Sequence, residues 1–142
     1  MILLKNPVTR IFFKSIDIPV NRTSKISAFK AFKRATELLK EGKSVVIFPE
    51  GKIDEEYPPK LHSFKAGAFK MALENHTPIL PVVIHNAWEI LFDDGARFGS
   101  KPGVIHISVL KPINYDPIQS QKYDSIEMEV YEKMKKVWNH GH

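Results

Sequence analysis

Cysteine is absent from all 142 residues, which excludes a disulfide framework, a thiolate metal site and a cysteine nucleophile. No uninterrupted apolar run approaches the roughly 20 residues that span a bilayer. The opening Met1-Ile2-Leu3-Leu4 gives way at once to Lys5, Asn6 and Pro7, so it has the form of neither a signal peptide nor a spanning helix. Internal repeats and low-complexity tracts are missing too. What is present is an ordinary globular composition, 43% hydrophobic and 26% charged, in a length that suits one domain with a sizeable core.

The formal net charge of +5 is unevenly placed. Residues 1–49 hold ten Lys or Arg against three acids, and residues 50–142 hold eleven against thirteen. A basic N-terminal third fits an anionic partner, whether a phosphate headgroup, an acidic membrane surface or a nucleic acid. A solvated, lysine-rich helix face accounts for the same counts.

Residues 16–20 have the pattern of a short strand. Ser24 is an N-cap for a helix to about Glu41, with Ala28, Phe32, Ala35 and Leu39 on one face, Phe29 and Leu38 beside them, and Gly42 after the last turn. The continuous apolar run 44–48 has the length of a strand buried on both faces, as a parallel sheet requires. A long loop then leads to a short helix over 65–74, with Phe64, Ala68, Ala72 and Leu73 inward. Apolar strands are expected at 79–84 and 104–110, and a last helix over 123–138 with Ile126, Val130, Met134 and Val137 on its buried side. This order predicts an α/β fold, a mainly parallel sheet flanked by helices, with ligands beyond the carboxyl ends of the strands.

The segment that leaves the 44–48 run is Phe48-Pro49-Glu50-Gly51-Lys52. Pro49 stops a strand, Gly51 permits a tight turn, and Glu50 and Lys52 place opposite charges at its mouth. Taken alone, that is a strand-ending turn with two solvated charges. The wider pattern is more specific: Ile18-Pro19-Val20-Asn21-Arg22, then Val45 through Gly51, then Phe64-Lys65-Ala66-Gly67-Ala68-Phe69, then Thr77-Pro78-Ile79-Leu80-Pro81-Val82-Val83-Ile84. In this order the segments resemble the second block, the third block, the Phe-Lys-x-Gly segment and the fourth block of the glycerolipid acyltransferases, the PlsC-like family of 1-acyl-sn-glycerol-3-phosphate acyltransferases. The motif-level resemblance covers about residues 16–85.

The resemblance implies transfer of a fatty acyl group from a thioester, acyl-CoA or acyl carrier protein, to the hydroxyl of a lysophosphatidate-like lipid in phospholipid biosynthesis. No bound cofactor or metal is implied. Arg22 would hold the acceptor's phosphate, its planar fork matching the anion. Glu50 would contact the glycerol hydroxyl or brace Arg22, Phe48, Pro49, Gly51 and Gly67 would shape the site, and Lys52 and Lys65 would add positive charge. The partners implied are a lysophospholipid acceptor, an acyl thioester donor and a membrane surface, with the protein peripheral on its cytoplasmic side. A nucleic acid is not expected, because the Phe residues of helix 24–41 are placed on its inward face.

Two departures stand out. Where the family commonly has Thr-Arg after Phe-Pro-Glu-Gly, this chain has Lys52-Ile53. The family's catalytic pair is His-x-x-x-x-Asp, and none of the six histidines here has an Asp five positions on. The expectation is therefore one partial acyltransferase domain over 1–142, incomplete at the N-terminus and inactive alone. The alternative is a non-catalytic phospholipid-binding module. His85, at a strand end, is a lesser candidate for a substitute base, and His106 is expected to share a polar strand face with Ser108.

Overall fold

The computed structural model describes residues 18, 24–52, 56, 58–91, 99–114 and 123–140. The expected strand 16–20 and Arg22 lie outside them, apart from Ile18. The chain divides into two compact units, Met1–Val46 and Ile47–His142.

In the first unit, α1 spans Lys25–Lys40 and both of its ends are set locally. Ser24 sits in extended backbone, and its Oγ accepts from the Ser27 amide at 3.3 Å, which satisfies one of the helix's orphan donors. At the other end Gly42 adopts φ +76°. There the Gly42 amide donates to the Leu39 carbonyl and the Lys43 amide to the Leu38 carbonyl, both at 2.9 Å. That bond pair is a Schellman cap, and it needs the left-handed residue that glycine supplies cheaply. Beyond it, the Lys43 ammonium lies 2.6 Å from Glu41. Its hydrogen bond and charge, with a smaller contribution from Arg34, hold the Glu41 carboxyl below the usual range. Ala35 is buried as expected, but Phe29 faces outward, 69% exposed, as does Ile26.

The second unit is organised by α2, Gly67–Glu74, and α4, Tyr123–His140, which pack on each other, with α4 also against β1, Val82–Ile84. Its core is Phe64, Phe69, Ile126 and Val130, with Leu61, Leu73, Ile79, Ile113, Tyr131 and Met134 around it. The Phe64 ring stacks on Phe69 with centroids 6.1 Å apart and meets Tyr131 edge-on at 5.2 Å, arrangements that the ring quadrupoles favour. Ile126 and Val130 are one turn apart and both buried, while Met134 and Val137 are half-buried. The inward stripe of α4 is thus the one its 3.6-residue period specifies.

The sheet differs from expectation. Among the described residues it has two strands, β1 and β2 (Ile107–Val109), and they are antiparallel with Val82 opposite Val109 and Ile84 opposite Ile107. Isolated bridges flank the pair at its two ends: Ile79 and Ile113, which exchange bonds of 2.9 and 2.8 Å, at one, and Leu91 with Ser100 beyond the other. A parallel return needs a crossover of a dozen or more residues, usually a full helix. Among its described residues the connection carries one helical turn, α3, Ala87–Ile90, and the returning strand runs antiparallel. Val83 is buried while Val82 and Ile84 are exposed, so the expected two-faced burial of 79–84 is one-faced. The run 44–48 forms no strand, and Val46 is 85% exposed. An apolar run becomes a strand only when a neighbouring ladder takes its amides, and none of the described residues does so.

Candidate functional site

The Phe48–Lys52 segment forms a closed turn. The Gly51 amide donates to the Phe48 carbonyl at 3.2 Å, and Gly51 has φ +61°, a region that side chains with a Cβ resist. Three further contacts clip this turn to the 62–65 segment. The Lys65 amide donates to the Pro49 carbonyl at 2.9 Å, and the His62 amide donates to Glu50 Oε2 at 2.8 Å. The Lys65 side chain lies across Gly51, its Nζ 3.5 Å from the Gly51 carbonyl oxygen. A Cβ on Gly51 would sit 2.9 Å from Lys65 Cδ and Nζ, a contact the flexible lysine end can relieve, so it is the backbone conformation that calls for glycine here.

The expected residues divide accordingly. Pro49, Glu50, Gly51 and Lys65 are brought into one cluster. Phe48 and Lys52 flank it, both exposed. Gly67 opens α2, and a Cβ there would meet open space, so its packing does not demand glycine. Arg22 lies outside the described residues. The His62 amide is a donor to Glu50 that the sequence does not signal; a backbone N–H twelve residues away has no side-chain signature. Chemically the cluster offers a half-buried carboxylate with one oxygen engaged by an amide, beside an exposed ammonium. It can orient a hydroxyl and attract an anion.

A second concave region, about 750 Å³, is lined by His85, Glu89, His106, Ser108 and Lys136, among others. His85 is 8% exposed. Its Nε2 is 2.9 Å from Ser108 Oγ, and its Nδ1 is buried with no hydrogen-bond partner among the described residues. His106 and Ser108 do share this face, as expected. Asn86 braces the strand ends: its Oδ1 accepts from the His106 amide at 2.8 Å and its Nδ2 donates to the Val104 carbonyl at 2.9 Å. His85 is thus tied into the sheet, and among the described residues no carboxylate meets Nδ1 to orient it as a base. Among the described residues no group of three or more His, Asp or Glu side chains is placed to hold a metal, and no helix is long and apolar enough to cross a membrane.

Comparison with known proteins places this geometry in context. A family model described as acyltransferase matches residues 1–85. A 1-acyl-sn-glycerol-3-phosphate acyltransferase from Borreliella burgdorferi is 40% identical over 92 residues, covering 61% of this chain and 36% of that protein. A chloroplastic 1-acyl-sn-glycerol-3-phosphate acyltransferase from Brassica napus is 30% identical over 122 residues, covering 86% of this chain and 33% of its own length. The crystal structure of PlsC, the 1-acyl-sn-glycerophosphate acyltransferase of Thermotoga maritima, superposes with a TM-score of 0.75 at 23% identity, over 97% of this chain and 53% of that one. The chain thus spans about a third of these curated relatives and about half of the solved neighbour.

Proposed function

This chain belongs to the acyltransferase family, in its PlsC-like branch, and from that premise we propose that it supplies the acceptor-binding part of a 1-acylglycerol-3-phosphate O-acyltransferase. In the reaction the acceptor hydroxyl attacks the thioester carbonyl, an ester C–O bond forms, the C–S bond breaks, and the thiol of coenzyme A or acyl carrier protein leaves. Glu50 orients the hydroxyl: the His62 amide occupies Oε2 and fixes the carboxylate, leaving Oε1 to accept from the acceptor. Fixing that geometry in advance is where the rate advantage lies. Lys65 and Lys52 place positive charge beside the acceptor's phosphate, and Arg22 grips it. Phe48, Pro49, Gly51 and Gly67 give the loop its shape. The hydroxyl's proton passes by way of a His-Asp pair, which this stretch of sequence does not contain, to the departing thiolate, so the 142 residues, taken as one partial domain, are inactive alone. The acceptor is a lipid, so the work is done peripherally at a membrane surface, on the cytoplasmic side.

The observation that carries this reading is the clip of Glu50, Gly51 and Lys65 inside the span the family model matches. The test is acyl transfer to lysophosphatidate by the intact protein and its Glu50→Gln variant. A loss of about 100-fold or more in kcat/KM is expected, the scale of a misplaced substrate. Unchanged transfer would remove Glu50 from the site. Retained lysophosphatidate binding with no transfer by the intact protein would favour a non-catalytic phospholipid-binding module instead.

A further inference from the structure

We propose that the outward face of α1 docks on an anionic lipid leaflet, with Ile26 and Phe29 entering the interface and Lys30, Lys33 and Lys40 set against lipid phosphates. At about 100° of rotation per residue, Ile26, Phe29, Lys30, Lys33, Glu37 and Lys40 fall within a sector of about 100°, directly opposite the buried Ala35. Ile26 is 71% exposed and Phe29 69%. Two large apolar side chains one turn apart, on the face that carries the lysines, are costly in water unless something covers them.

The charge on the same face identifies the cover. Its one acid, Glu37, is engaged by Arg34 at 3.3 Å, so the three lysines give the face a net positive charge. Apolar side chains flanked by lysines whose stems can reach around them are what an interfacial helix presents to an anionic bilayer. A nucleic acid would use the lysines but give Ile26 nothing to do, and one aromatic provides no run of stacking platforms. The face is also preformed, because α1 is capped at both ends by Ser24 and Gly42, so docking does not have to fund helix formation. The inference deepens the membrane-surface part of the reading above. It rests on that reading only for the reason the protein visits a bilayer.

The experiment is co-sedimentation of the intact protein with vesicles of phosphatidylglycerol and phosphatidylcholine, and with phosphatidylcholine alone. Two double variants are compared, Ile26→Ser with Phe29→Ser, and Lys30→Gln with Lys33→Gln. All four positions are exposed, so far-ultraviolet circular dichroism should be unchanged. Binding is expected on the anionic vesicles only, weakened about tenfold or more by each double variant, and a Phe29→Trp variant is expected to be quenched by brominated lipid. Binding that ignores either double variant overturns the proposal, as does tighter binding to duplex DNA that survives loss of Ile26 and Phe29. Vesicle binding that needs both pairs upholds it even where no acyl transfer is detected, so the two readings fail separately.

Discussion

At the scale of single residues, Gly51 shows how a site is written into a sequence. Its φ of +61° is a backbone requirement, and the Lys65 side chain 2.9 Å from a would-be Cβ adds a contact that the flexible lysine end can relieve. The two separate experimentally. Gly51→Ala is expected to destabilise the protein by about 1–2 kcal/mol through the left-handed backbone alone, measured by denaturant unfolding. The end of a lysine swings aside easily, so adding Lys65→Ala should recover little of that loss. Full recovery would mean that crowding, not backbone strain, fixes glycine there. The turn was legible because Pro49 and Gly51 act through their own dihedral angles. The His62 amide on Glu50 was not, because a backbone donor twelve residues distant leaves no mark in residue type. Phe29 was misplaced for a related reason: the helical period says which residues share a face, but a stripe only a little wider than its neighbours leaves the flanking positions undetermined.

At the scale of elements, the three longest described helices were readable nearly to their ends, whereas for the strands only the places of two were, not their direction. Ser24 and Gly42 bound α1 within a residue of where the sequence placed its ends, since caps are local chemistry. The stripe of α4 was likewise correct, and it makes a graded prediction. Ile126→Ala removes a buried side chain from the Phe64–Phe69–Val130 cluster and is expected to cost about 2–5 kcal/mol. Val137→Ala, at a half-buried position of the same helix, should cost clearly less in the same unfolding measurement. Equal costs would mean that the helix is rotated from the stripe described. Strands lack this self-sufficiency. The run 44–48 and the segments 79–84 and 104–110 are all apolar, yet one is no strand and the others pair antiparallel, because a strand's amides and faces are satisfied by whatever lies beside it. Apolar content predicts that a segment needs a partner; it does not say which one or in which direction.

At the scale of the whole molecule, the strand register has an energetic consequence. Val82 pairs with Val109 and Ile84 with Ile107 on one face of a two-stranded sheet, and all four side chains are exposed. Their opposite face, through Val83 and Ser108, turns inward. Two strands are marginal on their own, and among the described residues they are held by α4 on one side while the apolar side is exposed. Such a surface binds hydrophobic dye and favours self-association. The 142-residue chain is therefore expected to enhance anilinonaphthalene sulfonate fluorescence well above a typical folded domain of its size. Val82→Thr with Val109→Thr should reduce that enhancement without loss of secondary structure, since threonine keeps the β-branched shape that a strand prefers. Dye fluorescence at the level of an ordinary folded domain would show that this face is covered in solution. The relatives are about three times as long as the stretch they share with this chain, so the same measurement on a protein of their length asks whether the added residues lie on that face. A drop in dye binding there, with the two valines intact, would identify the open sheet as an internal contact surface rather than a substrate groove.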